Sequence, residues 1–447
     1  MKIMVSTGHL GTAPSGRESF ELGLEAGPDI IAADSGSSDP GPVYLGEDIM
    51  MGLFAEQELE LLLSSARRLG IPMIIGSAGD TGSNRGVDHF VHVIKAKAAA
   101  HSIPKFKLGY FYSEVPHAYL LDKMDRGVSV DGLDGFPALT REELERTSRI
   151  VAVAGVHPFI ELLDRGADVI IGGRSGDAAL FAAPAIRAGL PASLAYHMGK
   201  IIECASFCAE PFMGKETVIG TVTQDEVFVT ACHPAQRCTV ASVSGHAMYE
   251  RANPDFEYAV GGSLDMRACR YEQHDEKTTR VTGARWVPAT ELCVKLEGAK
   301  NVGERFMGIA GLRDPHLVRH VDDIVRWSRE SVERMFGKDG YQIFYHVFGK
   351  NGVLKELEPV KESKAHELAV VVETVAQDPA LAERVTDYAV RMFFLARIPG
   401  VKGTAGAAAT TKKAMRYLPG YVWTLNHTVP VDDPMELFSV HMTEAGV

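Results

Sequence analysis

No G-x-x-x-x-G-K-[ST] phosphate loop occurs anywhere in the chain, and the first loop, STGHLGTAPSG, has only a Gly8-x-x-Gly11 spacing in place of G-x-G-x-x-G. These absences argue against ATP and nicotinamide, and no cofactor is expected. There is no G-x-S-x-G elbow, no H-E-x-x-H and no cysteine in a protease-like setting, so covalent hydrolysis and metal-first chemistry lack their usual residues. Dense Lys/Arg runs are missing as well. With 58 acidic residues against 46 basic and a net charge of -12, no nucleic-acid partner is expected. The opening apolar run, MKIMV, breaks after about five residues, short of a secretory signal and of the ~20 needed to span a bilayer. No membrane partner and a cytoplasmic address are therefore expected. Cysteine is sparse: six residues, Cys204, Cys208, Cys232, Cys238, Cys269 and Cys293, all in the middle third and expected as reduced thiols. Cys204-x3-Cys208 is spaced for one helix face, and Cys232-x5-Cys238 is looser than a paired zinc knuckle. No metal is expected, and a metal enzyme built on this cluster is the minority reading.

What the chain does have is an ordinary globular composition, 46% hydrophobic and 23% charged, and a length of 447 residues that suits about two domains. In the first half, short apolar runs (KIMV, DIIAA, PMII, KLGYFY, RIVAVA, ADVII) alternate with amphipathic segments such as AEQELELLLSSARRLG and GVDHFVHVIKAKAAAH. Apolar runs of this length are strands buried on both faces, and their alternation with helices predicts an α/β domain over 1–214, a parallel sheet covered by helices. In TREELERTS, Thr140 and Glu143 form a capping-box pattern. From about residue 215 the pattern becomes that of a smaller α+β domain, 215–447. It has hairpins at ETVIGTVTQDEVFVTA and at YQIFYHVFGKNGVLKELEP, the second turning at KNG, and a helix opened by Asp378 and Pro379.

Ligands of open parallel sheets bind beyond the carboxyl ends of the strands. Five loops there are polar or glycine-rich: STGHLGTAPSG, DSGSSDPGP, GSAGDTGSNRG, AGVHP and GGRSGDAA. Any one of them reads equally well as a solvated turn, but several at neighbouring strand ends predict a shared cleft. Asp34 and Asp39 are the candidate acids, with Ser35 and Ser37 between them. Gly76, Ser77, Asp80 and Thr81 offer backbone N–H groups and hydroxyls for a carboxylate or phosphate. Arg174 is a candidate two-pronged carboxylate clamp and Asp177 a helix cap, the plainer alternative being a salt bridge between them. His197 is a candidate general acid or base, with Lys200 beside it; a stripe of His197, Ile201, Cys204 and Cys208 also fits a buried core histidine. Lys295 and Glu297 alternate to one face of a strand and are expected to point to solvent.

The stretches ESFELGLEAGPDIIAADSGSSDPGPVYLG, IPMIIGSAGDTG, GVHPFIELLDRGADVIIGGRSGDAALFAAPAIRAGLP and AYHMGKIIECASFCAEP resemble the AtuA-like family, named for acyclic terpene utilization. CTVASVSGHAMYE, VKLEGAKNVGERFMGIAGLRDP and HVFGKNGVLKELEP continue the likeness. The resemblance implies catabolism of branched terpenoids through CoA thioesters, and a small partner protein. The reaction it implies is hydration, dehydration or carbon–carbon cleavage at an activated carboxylic acid. With the residues above, the expected function is a cofactor-independent lyase, a hydratase or dehydratase, acting on a small hydroxy-carboxylic acid or its CoA thioester. A non-catalytic ligand-binding subunit of a two-component enzyme is the alternative from another class, and a homo-oligomer is expected.

Overall fold

The computed structural model describes residues 1–50, 52–251, 253–401 and 406–447. Two compact units divide the chain: residues 1–300 with 423–447, and residues 301–422.

Four strands organise the first unit: β1 (Lys2–Val5), β2 (Ile30–Gly36), β3 (Met73–Asp80) and β4 (Phe106–Tyr112). With Val169–Ile171 inserted between β3 and β4, they form the parallel centre of a ten-stranded sheet. Both faces are buried. Ile3, Val5, Ile30, Ala32 and Ile74 pack into one apolar cluster, while Met4, Ile31, Ala33, Met73 and Ile75 pack into another. That alternation explains why these runs are apolar at every position. Helices Ala55–Leu69 and Asn84–Ala100 lie where their periodicity predicts, the second capped by the Ser83 side chain. Thr140 caps Arg141–Arg146 by accepting from the Glu143 N–H.

The sheet is mixed rather than purely parallel. Val218–Val222 pairs antiparallel with β1, followed outward by Val227–Ala231, Thr278–Thr282 and Arg270–Gln273, and at the other edge Ser439–Ala445 pairs antiparallel with β4. This moves the domain boundary. A division at 214/215 would cut the hydrogen bonds between β1 and Val218–Val222, so residues 215–300 and the last 25 belong with the first unit. RIVAVA is also a strand, Arg149–Val153, but it pairs antiparallel with residues 295–299 of the long strand Cys293–Leu312 and stands outside the parallel sheet.

In the second unit, residues 304–312 pair antiparallel with Leu368–Ala376, and Gln342–Phe348 with the far side of that strand. Helices Val321–Phe336 and Pro379–Phe394 supply Ile324, Val332, Val385 and Phe393 to its core; Asp378 caps the latter as predicted. The predicted hairpin at KNG does not form. Val353 and Leu357 are exposed, and the strand's partner is the more apolar run LAVVVETVA after an intervening loop. Among the described residues no helix is long and apolar enough to cross a membrane.

Candidate functional site

The five polar loops do meet, and backbone hydrogen bonds join them in series. Leu10 N–H donates to Asp34 O (2.9 Å), Ser37 N–H to Asp80 O (3.1 Å), Ala78 N–H to Gly172 O (2.9 Å), and Arg174 N–H to Gly82 O (3.1 Å). Ala154 N–H donates to Arg174 O at 3.0 Å, which brings in AGVHP. Such contact demands small residues. A side chain at Gly82 would enter the Arg174 backbone, and one at Gly76 would meet Leu180 Cδ2 at 2.7 Å and Asp34 Oδ1 at 2.9 Å. The glycines thus serve close packing of the cleft floor rather than mobility. Ser77 and Asp80 hold positive φ of 44° and 80°, an uncommon conformation for side-chain-bearing residues that recurs at functional sites.

Asp34 lies near the end of β2 with 3% of its surface exposed, and its Oδ1 is buried without a hydrogen-bond partner. Burial, and then the nearby Asp177 carboxylate, raise its pKa well above the ordinary aspartate value; Arg174 and the N–H groups of Ser35 and Gly36 oppose the shift without cancelling it. Arg174 is itself buried, with Nε 2.9 Å from Glu297 Oε2 and Nη2 3.4 Å from Glu297 Oε1. Its Nη1 lies 3.4 Å from Ser77 Oγ and 3.7 Å from Asp177 Oδ1. Burial pushes Glu297 upward, but Arg174 and Lys295 outweigh it and hold the carboxyl at about 2. Ser77 Oγ also accepts from the Ser175 N–H at 3.3 Å. Asp80 is buried and in ion-pair contact with His9 Nε2 at 2.7 Å. Ser35 and Thr81 are buried too, and Thr81 Oγ1 has no partner.

Several expected residues lie elsewhere or act otherwise. Asp39 is exposed in the turn after β2, and its N–H occupies the Ser37 hydroxyl at 3.1 Å. His197 is fully buried in the helix Ala192–Ile202, its Nε2 3.0 Å from the Tyr271 hydroxyl and its Nδ1 3.6 Å from Cys269 Sγ. Burial drives its pKa down to about 3, so the imidazole is a neutral core group. Asp177 does not cap Ala179–Arg187, whose N-cap is Ala178; its side chain is 42% exposed beside Arg174. Arg174 does not present a free fork, because Glu297 occupies it. Glu297 in turn points inward, at 6% exposure, and not to solvent. Lys200 is buried and paired with Glu203.

A second polar group surrounds that pair. Lys200 Nζ lies 4.4 Å from the centre of the Tyr249 ring, and the Tyr249 hydroxyl is 2.9 Å from Cys204 Sγ and 3.3 Å from Glu203 Oε1. His246 stacks on Tyr249 with ring centres 4.4 Å apart. Donor atoms of Glu203, Cys204 and His246 all fall within 4.8 Å of one another, making these, among the described residues, the group able to hold a metal. Cys204 and Cys208 do not share a helix face, since the helix ends at Ile202 and a 3-10 turn follows at Ala205–Cys208. All six cysteines are free. The Asp177 charge acts on Asp34 and on Lys200 and Glu203, so the two groups share one electrostatic neighbourhood. Lys215 adjoins the first loop: its Nζ donates to Thr7 Oγ1 at 2.8 Å and to His9 O, and burial lowers its pKa to about 8. A cavity of about 460 Å³, lined by Met50, Gly52, Glu56, Gln57, His89 and Lys97 among others, contains none of these groups.

Sequence reasoning noticed Glu297 as a carboxylate in the otherwise apolar strand CVKLEGA but turned it to solvent, and it missed Tyr249, His246 and Lys215; for His246 and Tyr249 the available signal was a pair three apart at the end of a short helix.

A family model described as acyclic terpene utilisation family protein AtuA matches residues 53–429. No curated protein and no solved structure matches the chain.

Proposed function

The chain belongs to the AtuA family of acyclic terpene utilisation proteins, and we propose that it is a lyase, a hydratase or dehydratase acting on a β-hydroxyacyl thioester. The observation that carries this reading is the Asp34 carboxyl: buried, raised in pKa, and left with one oxygen unpartnered beside a second carboxylate, Asp177. One carboxyl is enclosed and the other is 42% exposed, and an acid/base pair requires two carboxyl groups in such different environments. In the dehydration direction, the Asp177 carboxylate takes the proton from the carbon next to the carbonyl. Its electron pair becomes the new C=C bond, the C–O bond at the β-carbon breaks, and the Asp34 proton leaves with the hydroxyl as water. Arg174, whose Nη1 faces Ser77 and Asp177, would offset negative charge developing on the thioester oxygen.

Charge pairing favours a thioester over a free carboxylate. Arg174 and Lys295 share Glu297, with Asp177 also 3.7 Å from Arg174, and Lys200 is paired with Glu203, so a second anion would have to displace one of these carboxylates. A neutral carbonyl needs only donors. Incubating the purified protein with a panel of 3-hydroxyacyl-CoA thioesters, following enoyl absorbance and loss of water by mass spectrometry, tests the proposal. Turnover should fall by about 100-fold or more in Asp34→Asn and Asp177→Asn and persist in Asp39→Asn. If wild type turns over no thioester, in either direction, the reading is wrong.

A further inference from the structure

We infer that Glu203, Cys204 and His246 form a binding site for a divalent transition-metal ion of the zinc class. Their ligand atoms, a carboxylate oxygen, a sulfur and an imidazole nitrogen, lie within 4.8 Å of one another. Ligands about 2.0–2.3 Å from a tetrahedral ion stand roughly 3.5 Å apart, a separation that small side-chain rotations would reach. Two of these residues also carry a buried polar atom that is otherwise unexplained. Glu203 Oε2 and His246 Nε2 are enclosed with no hydrogen-bond partner, on residues 2% and 7% exposed. Interiors seldom leave polar atoms in that state unless an ion or ligand completes them.

The remaining contacts orient these atoms without consuming them. Lys200 bonds the other Glu203 oxygen, Oε1, and the stack on Tyr249 fixes the plane of the His246 ring. Cys204 Sγ has the Tyr249 hydroxyl at 2.9 Å, a weak contact that a metal–sulfur bond would replace, with the thiol proton released to solvent. The carboxyl groups of Asp177, Glu203, Glu250 and Glu257 outnumber the cations Lys200 and Arg251 around this site. A mixed N, S and O set selects against magnesium and calcium, which take oxygen alone. Three protein ligands also leave a fourth position open, as in sites that bind an exogenous molecule rather than closed structural ones. The Cys204 backbone packs directly on Gly8 of the first loop, so these residues adjoin the strand ends. The acid/base reading of Asp34 and Asp177 requires no metal, so the two proposals fail independently.

The test uses the full chain, stripped with a chelator and titrated with Zn(II) against a chromophoric competitor, and in parallel with Co(II) followed by absorption. Binding should saturate at one ion per chain, with a thiolate-to-cobalt charge-transfer band in the near ultraviolet. Cys204→Ser should abolish the band, His246→Gln should weaken affinity by at least about tenfold, and Cys269→Ser should leave both unchanged. Absence of saturable binding, or a band that survives Cys204→Ser, overturns the site. Should Cys204→Ser fail to fold, alkylation of the wild type answers the same question: Zn(II) must protect Cys204 and not Cys269, and equal labelling with and without zinc refutes it.

Discussion

Replacing Glu297 with glutamine keeps the shape of the side chain and removes the charge that Arg174 faces. Both partners are 8% exposed, and the contact is two-pronged, so little water can take the place of the lost carboxylate. What remains for the guanidinium is the Ser77 hydroxyl at 3.4 Å and Asp177 at 3.7 Å. Breaking one side of a buried pair costs about 3–5 kcal/mol. A second route gives a similar size. The carboxyl is held at about 2 against an ordinary value of 4.5, a difference of roughly 3 kcal/mol at about 1.4 kcal/mol per pH unit. Because the folded value lies below the unfolded one, this stabilisation is complete above about pH 4.5 and is lost as pH falls through about 2. Below that, protonated Glu297 resembles glutamine. Urea unfolding followed by far-ultraviolet circular dichroism should therefore place Glu297→Gln about 3 kcal/mol below wild type at pH 7, with the two curves converging toward pH 2. Lys295→Met, at a half-exposed partner of the same carboxylate, should cost less than about 1 kcal/mol. A Glu297→Gln protein within about 0.5 kcal/mol of wild type at pH 7, or a gap that does not close in acid, would refute the buried-pair argument.

Gly76→Ala should destabilise by about 1–3 kcal/mol and reduce turnover, since the added methyl meets both Leu180 and the Asp34 carboxylate; unfolding midpoints and thioester assays check both. Asp34→Asn should match wild type in stability in acid and exceed it as pH rises through the elevated Asp34 pKa, because burial penalises only the charged carboxylate. Lys215, lowered to about 8 by burial, should make the protein gain stability as pH rises from about 8 to 10.5. Lys215→Met should remove that slope, which unfolding midpoints at pH 7.5 and 10 would reveal.

The sheet was legible where burial is two-sided, because KIMV, DIIAA and PMII carry apolar residues at both parities, as strands covered on both faces do. The strand-end loops were legible through glycine and hydroxyl density, and all five do adjoin. Within DSGSSDPGP, sequence left Asp34 and Asp39 equivalent. Their difference is tertiary: Gly76, Ser175 and Leu180 close over one, and nothing covers the other. His197 illustrates the reverse case, a titratable residue whose helix turns it to Tyr271 and Cys269 in the core. Glu297 lies 123 residues from Arg174, so no local pattern could pair them. The domain boundary misled for a similar reason. Hairpin chemistry after residue 215 is real, but Val218–Val222 spends its outer hydrogen bonds on β1 and so extends the first sheet.

Turnover of 3-hydroxyacyl-CoA thioesters by wild type, Asp34→Asn and Asp39→Asn, measured side by side at pH 7, bears most directly on the proposed chemistry. A proton-donating role for the buried Asp34 carboxyl predicts an active wild type, an active Asp39→Asn and an Asp34→Asn protein slower by about 100-fold or more. Equal rates in wild type and Asp34→Asn would contradict it.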